Sequence, residues 1–231
     1  MSTDVVFAQG STTLRFLWTW QRCLVLLAPG GRLGIVLPES VFNNPSLIHV
    51  RQFCEDRAFL RAVVSLPQET FLSSGASVKA SLLFIHKYTD EEKARYGEIK
   101  ATATAEVDTK HAHVIESETA RLLAEIEAAK ESKDVEKRQE LRKQLKDFQT
   151  AMAQRKAGEV LQLLKERFDY PIFLYDALHV GINAVGDDNV PNELVPNDRL
   201  PAGISASALE LAQRFKQDPD GFTVPDMGAD Q

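Results

Sequence analysis

A short apolar run with turn residues on both sides places the strongest constraint on how this chain folds. Residues 33–37 (Leu-Gly-Ile-Val-Leu) follow the turn Pro29-Gly30-Gly31 and end at Pro38. Glycine commonly ends a helix and proline cannot donate within a strand ladder, so the run predicts one strand reached from a preceding helix. A continuous apolar strand is typical of a parallel sheet covered on both faces. Ligands of such sheets bind beyond the carboxyl ends of the strands, here after Pro38.

Two helices are predicted around this strand. The first covers about residues 13–28, with Thr12 or Thr13 as its cap. The second covers about residues 45–57, because Asn44 is a favourable cap and proline is tolerated at the first helical position.

Two further strands are predicted downstream, at residues 62–67 and 78–86, with a loop over residues 68–77 between them. The succession of strand, helix, strand, loop and strand indicates the second half of an α/β sheet domain. We therefore assign residues 1–87 to this domain.

The composition changes after residue 87. Residues 88–115 are charged and are predicted to be an irregular linker, whereas residues 116–168 carry two apolar stripes at helical spacing. A charged stretch between the stripes leaves two alternatives. The first is one long helix, and the second is a helical hairpin or coiled coil; the break in the repeat favours the hairpin. Residues 169–231 are predicted to be a C-terminal extension of loops, short strands and a helix near residues 205–217. The stripes are Leu122, Leu123, Ile126 and Ala129, and Leu141, Leu145, Phe148 and Met152.

Composition excludes several classes of protein. Hydrophobic residues make up 44% of the 231 residues, which favours a packed core over global disorder. The net charge of −6 argues against a basic surface for nucleic acid over the whole chain, though not against a local one. Cys23 and Cys54 lie in apolar, helix-like segments and are interpreted as buried, reduced thiols. The pair His111 and His113 stands in a polar stretch without further ligands at metal-site spacing, so no metal site is predicted.

No membrane segment is predicted either. The apolar run of residues 14–28 is shorter than a bilayer requires and is interrupted by Gln21 and Arg22. Asp4 precedes any basic residue, unlike the start of a signal peptide. We therefore expect a cytoplasmic protein.

Three segments in this order resemble the C-terminal half of an adenine-specific DNA methyltransferase. The segments are LLAPGGRLGIVLPESVFNN, RQFCEDRAFLRAVVSLPQETFLSSGASVKASLLFIHK and YPIFLYDALHVGINAVGDDNVPNEL. The most similar type is the modification subunit of type I restriction-modification systems and related gamma-class amino-methyltransferases. The resemblance covers roughly residues 14–87 and 168–200.

The resemblance implies a Rossmann-like, S-adenosylmethionine-dependent methyltransferase sheet of seven strands. The three strands of this chain would be the fifth, sixth and seventh, with the seventh antiparallel between the other two. Family members place an aromatic residue of the flipped-adenine pocket in the loop before the seventh strand, where Phe71 lies. A phenyl face can stack on an extruded base, so Phe71 is the candidate substrate-binding residue. The alternative is that Phe71 caps the core.

Two motifs of the resembled family are missing. No Gly-x-Gly occurs before Leu14, so the glycine-rich cofactor loop is absent, and so is the catalytic Asn-Pro-Pro-Phe/Tyr tetrapeptide. Asn43-Asn44-Pro45-Ser46 follows the wrong strand and is interpreted as a helix cap. No catalytic or cofactor-binding residue is therefore assigned. We expect a methyltransferase cut just upstream of its fifth strand, inactive alone, with S-adenosylmethionine bound only by the complete enzyme.

The resemblance implies DNA as a partner, together with the upstream methyltransferase half or a specificity subunit. A second function hypothesis is an assembly module whose helical segment docks on such a partner. A third is a remnant of a small-molecule methyltransferase. The helical segment can also be a simple solvated hairpin. The strand at residues 33–37 would lack its family neighbour and present an unpaired edge. We therefore expect the isolated chain to self-associate, or to be soluble only when the upstream half is supplied.

Overall fold

The computed structural model describes residues 21–222 as a mixed α/β protein with two compact units. The first consists of residues 21–93 and 170–222 and contains a four-stranded sheet. The second, Ala94–Asp169, is helical. Most of the helix predicted from Thr12 or Thr13 lies outside the described residues, but residues 21–26 are helical.

The elements follow in chain order. They are β1 (Arg32–Pro38), α1 (Ser40–Asn43), a 3-10 helix (Pro45–Leu47), α2 (Ile48–Glu55), β2 (Ala58–Ser65), a second 3-10 helix (Gln68–Ser74), β3 (Ala80–Lys87), α3 (Asp90–Glu131), α4 (Val135–Arg167), β4 (Phe173–Asp176) and α5 (Ala208–Gln217). The strands begin and end within a few residues of their predicted bounds, except that β2 starts at Ala58 rather than Ala62.

The sheet has the strand order β1-β3-β2-β4. β3 is antiparallel to both β1 and β2, and β4 is parallel to β2. The expectation of a parallel sheet is therefore wrong in this region. The connection from β2 to β3 contains only a short 3-10 helix, whereas a parallel return needs a longer crossover that usually contains an α-helix. An antiparallel strand between two others is the arrangement that the resemblance implied.

One face of the sheet carries the main apolar core. Residues at alternate positions of β1 point to this core, and Leu37 is buried there. Val36, on the opposite face, is 45% exposed, so β1 is not covered on both faces as its continuous apolar run indicated. α2 contributes Val50 and Cys54, whose spacing places them on the same side of the helix. The buried members of this core are Leu24, Leu37, Val41, Leu47, Val50, Cys54, Ala58, Leu83 and Ile85.

The C-terminal residues belong to the sheet unit. β4 supplies Phe173, which packs with Leu211 and Phe215 of α5. α5 begins with a capping box, in which the Ser207 hydroxyl accepts from the backbone N–H of Glu210 and the Glu210 carboxylate accepts from the backbone N–H of Ser207. The segment predicted as a C-terminal extension therefore adds a strand to the sheet and a helix that packs on it.

The second unit is a helical hairpin. α3 begins at Asp90, so the prediction of an irregular linker at residues 88–115 is wrong. Large apolar residues are sparse there, which left the helical period weak in the sequence. Lys133, with φ of 56°, lies in the turn, and Asp134 caps α4 by accepting from Lys137 N at 3.0 Å. The hairpin is the alternative observed: Leu122, Ile126 and Ala129 of α3 pack with Leu141 and Leu145 of α4.

Candidate functional site

Three strands bring their carboxyl ends to one edge of the sheet. β1 and β2 are each antiparallel to β3 and therefore parallel to one another, and β4 is parallel to β2. The segments that follow these strands meet at this edge, which is where ligands of α/β sheets bind. The 3-10 helix Gln68–Ser74 follows β2 at this edge.

Phe71 lies in this 3-10 helix and is half-buried. Its side chain packs against the buried cluster of Val64, Leu66 and Ala177. The backbone around it is held by two hydrogen bonds to the Phe71 carbonyl, from Ala76 N at 3.1 Å and from the Ser74 hydroxyl at 3.0 Å. The ring is thus fixed on an apolar support while part of it stays accessible, an arrangement in which it can either cap the core or stack on a base.

The turn that ends this helix depends on a glycine. Gly75 has φ of 83°, a left-handed conformation that disfavours residues with a Cβ. Its N–H donates to Leu72 O at 2.9 Å. Gly75 therefore closes the segment that presents Phe71 and directs the chain towards β3.

A buried carboxylate organises the segment after β4. Glu193 is 2% exposed, and its Oε1 accepts from the backbone N–H groups of Leu178 and, at 2.7 Å, His179. Its Oε2 accepts from the Tyr175 hydroxyl at 3.3 Å. Burial and the nearby Glu193 carboxylate raise the pKa of Tyr175 to about 12, so the phenol stays protonated and donates.

Glu193 was not predicted from the sequence. It stands in a polar loop, and its partners come from β4 and from a backbone bridge between Val180 and Asn192 that no local pattern indicates. Tyr175 packs on the same cluster as Phe71. The carboxylate therefore fixes the loop and the apolar support beneath the candidate substrate residue.

A charged pair lies where β1 ends. The Glu39 carboxylate is 3.6 Å from Lys79 Nζ, and Glu39 N donates to Lys79 O at 3.0 Å. Both side chains are about one-third exposed, at 37% and 36%, so the pair contributes little to stability. It joins the end of β1 to the segment entering β3.

The Asn-Pro sequence after β1 forms a helix cap, which confirms the interpretation made from sequence. Asn44 Oδ1 accepts from Ser46 N at 2.9 Å and from the Ser46 hydroxyl at 2.8 Å. Arg51 donates to the carbonyls of Val41 and Asn44 at 2.9 and 3.0 Å, which fixes the segment against α2. The Asn44 side chain is thus engaged in local structure.

The thiols and histidines form no metal centre in the part of the chain that the structure describes. Within residues 21–222, no group of three His, Cys, Asp or Glu side chains could hold a metal ion. Cys54 is buried, and burial raises the pKa of its thiol to about 12. Cys23 is half-buried and also unpaired.

The turns directly after β1 and β2 do not offer the glycine-rich backbone against which S-adenosylmethionine would lie. In α/β sheets, a nucleotide cofactor lies against glycine-rich backbone at the carboxyl end of a strand. In this chain β1 continues through Glu39 into α1, β2 continues through Leu66 and Pro67, and neither turn contains glycine. Gly30 and Gly31 stand before β1, at the opposite end of that strand. We therefore derive no catalytic step through the cofactor.

Comparison with protein-family models identifies the family of this chain. Residues 4–154 match the family model of the N-6 DNA methylase. The chain belongs to the N-6 DNA methylase family. The matched range includes the sheet strands β1 to β3 and part of the helical hairpin, whereas residues 168–200, which contributed to the resemblance, lie outside it. Adenine DNA methyltransferases form this family, and its members generally use S-adenosylmethionine.

A search of curated proteins found no match. None of the helices within residues 21–222 has the length and apolar character needed to cross a membrane.

Proposed function

We propose that this chain supplies the C-terminal part of the catalytic domain of an adenine-specific DNA methyltransferase from a restriction-modification system, similar to type I modification subunits. The reaction is transfer of a methyl group from S-adenosylmethionine to the amino group of adenine in DNA. The observation that carries the proposal is the strand order β1-β3-β2 with β3 antiparallel in the middle, in a chain of the N-6 DNA methylase family. These strands would be the fifth, seventh and sixth strands of the complete sheet.

In this proposal Phe71 stacks on the extruded adenine. Its support is the location of the residue on the 3-10 helix after β2, at the edge where three strand ends meet. A flipped base presents a π-face, and a half-buried ring on an apolar cluster loses little side-chain freedom when it stacks. Tyr175 and Glu193 act indirectly, by holding the loop next to that cluster.

The proposal assigns the remaining machinery to another polypeptide segment. The glycine-rich cofactor loop and the Asn-Pro-Pro-Phe/Tyr motif do not occur in this sequence. A segment with both motifs would hold S-adenosylmethionine and the target amino group. This chain would then complete the adenine pocket and be inactive alone.

The second candidate function is assembly, and the hairpin favours it. α3 and α4 contain 42 and 33 residues, and the hairpin forms a compact unit by itself. Apolar residues also lie on its exposed surface, with Val114, Leu123 and Val135 each about half exposed at 51%, 48% and 53%. In this alternative the hairpin docks on a DNA specificity subunit.

Reconstitution tests the first proposal. The chain is co-expressed with the N-terminal half of an N-6 DNA methylase that contains both missing motifs, and methyl transfer from labelled S-adenosylmethionine to adenine in duplex DNA is measured. We expect transfer only from the combination. Methyl transfer by this chain alone would contradict the proposal. The proposal would also be contradicted if no combination transferred methyl groups while the hairpin captured a specificity subunit.

Phe71→Ala tests the adenine role in the reconstituted enzyme. Loss of one stacking surface is expected to raise the free energy of the transition state by about 1–3 kcal/mol and thereby to lower kcat/KM, since base–aromatic stacking contributes that much per base. Leu72→Ala is the matched control, because Leu72 lies next in the same 3-10 helix and is 43% exposed. A large drop in the melting temperature of Phe71→Ala with unchanged turnover would favour the core role instead.

A further inference from the structure

A groove lies on the face of the sheet opposite the main core. Its volume is about 590 Å³, and all of its lining residues belong to the sheet unit. The floor comes from three neighbouring strands, through Gly34 of β1, Phe84 of β3 and Ala62 of β2. One wall is formed by α5, through Phe215.

The floor of this groove is apolar and uncovered among the described residues. α5 packs over β4 and extends to Ala62 of β2, but Phe84 is 42% exposed. A Cβ added at Gly34 would lie 3.1 Å from the Phe84 ring, so the absence of a side chain there lets this ring lie across β1. A sheet face of this kind is normally buried by a second layer, which in α/β proteins is a helix.

The rim of the groove has one sign of charge. Arg32, Arg61 and Lys216 line it, and no acidic residue between positions 21 and 222 does. Within residues 21–222 none of the three has an ion-pair partner, and Arg61 is held over the Phe59 ring at 4.3 Å from its centroid. The groove therefore combines an apolar floor with three cations that have no ion-pair partner among the described residues, although the net charge of the chain is −6. Charge complementarity favours a ligand with an apolar centre and acidic flanks.

The location of the groove separates it from the candidate adenine site. Arg32 is the first residue of β1, whereas Phe71 follows the carboxyl end of β2. β1 and β2 are parallel, so the groove extends from the amino ends of these strands. The groove therefore does not include Phe71 or the strand ends that present it.

We propose that this groove is a docking site for an amphipathic helix of a partner protein, with acidic residues on both sides of its apolar stripe. The apolar stripe packs on Phe84, Gly34 and Ala62, next to α5. The acidic flanks pair with Arg32 and Arg61 on the strands and with Lys216 on α5.

Two synthetic helical peptides test the proposal. They share one apolar stripe and differ only in the flanking residues, which are Glu in one and Lys in the other. Binding to the full chain is measured by fluorescence anisotropy. We expect the Glu peptide to bind about tenfold more tightly, because three exposed ion pairs each add a fraction of a kcal/mol. Equal affinity for the two peptides, or no binding of either, would overturn the proposal.

Variants locate the binding to the groove. R32E/R61E/K216E should reverse the preference between the peptides, and Phe84→Ser should weaken both. The control R142E/K143E/K146E changes three exposed cations of α4 and should leave both affinities unchanged. If circular dichroism shows that the triple variant does not fold, the single variant R32E is tested in its place.

The alternative occupants are outcomes of the same experiment. Binding of a DNA oligonucleotide that R32E/R61E/K216E abolishes would assign the groove to nucleic acid. A dimer in light scattering that the same variant dissociates would assign it to a second copy of the chain. Either result would overturn the proposal.

Discussion

Replacement of Glu193 by alanine tests whether one buried carboxylate holds the loop beside Phe71. The side chain is 2% exposed and accepts two backbone N–H bonds and one phenol O–H bond. Alanine would leave the N–H groups of Leu178 and His179 and the Tyr175 hydroxyl without this acceptor. Hydrogen bonds to charged groups contribute about 1.5–3 kcal/mol each, and loops relax in part, so we expect Glu193→Ala to lower the free energy of unfolding by about 3–5 kcal/mol.

Two graded controls accompany this variant. Glu193→Gln keeps one acceptor oxygen for the N–H groups and should cost about 1–2 kcal/mol, and Tyr175→Phe removes only the phenol bond and should cost about 1 kcal/mol. Urea unfolding followed by circular dichroism gives these differences, and amide hydrogen exchange at Leu178 and His179 shows where protection is lost. Glu193→Ala within 1 kcal/mol of the wild type, with unchanged exchange at both amides, would refute the reasoning.

Two further predictions concern titratable groups. Burial raises the pKa of Cys54 to about 12, so its thiol should stay unreactive towards iodoacetamide at pH 8 until the chain is unfolded; rapid labelling of the native chain would contradict this. In the hairpin, hydrogen bonds from Lys110 and His111 lower the pKa of Glu159 from 4.5 to about 2. The folded value lies below the unfolded one, so this stabilisation is present above pH 4.5 and is lost as the pH falls towards 2. Thermal melts against pH should show that loss, and Glu159→Gln should make it smaller while Glu140→Gln, an exposed control, should not.

The sheet elements could be predicted because their signals are local. Glycine and proline bracket β1, Asn44 caps the helix that follows, and the apolar run of β3 is short and continuous. Strand direction depends on the connections, so the continuous apolar run of β1 could not be distinguished from a fully buried parallel strand. The antiparallel β3 came only from the family resemblance.

The errors arose where the deciding contacts are distant in sequence. The first half of α3 has few large apolar residues, and its seam includes the small Ala103 and the polar His111, which pairs with Glu159 of α4 at 3.0 Å. Glu193 likewise acts on residues that precede it by fourteen to eighteen positions. No local composition distinguishes such residues from exposed loop residues.

Isothermal titration of the purified chain with S-adenosylmethionine shows whether the sheet described above binds the cofactor without the missing segment. We expect no binding, because the sequence lacks the glycine-rich cofactor loop and the turns directly after β1 and β2 contain no glycine. The chain alone should give no measurable heat of binding, and binding should appear once a segment with the glycine-rich loop is supplied. Micromolar affinity of the chain alone would contradict this expectation.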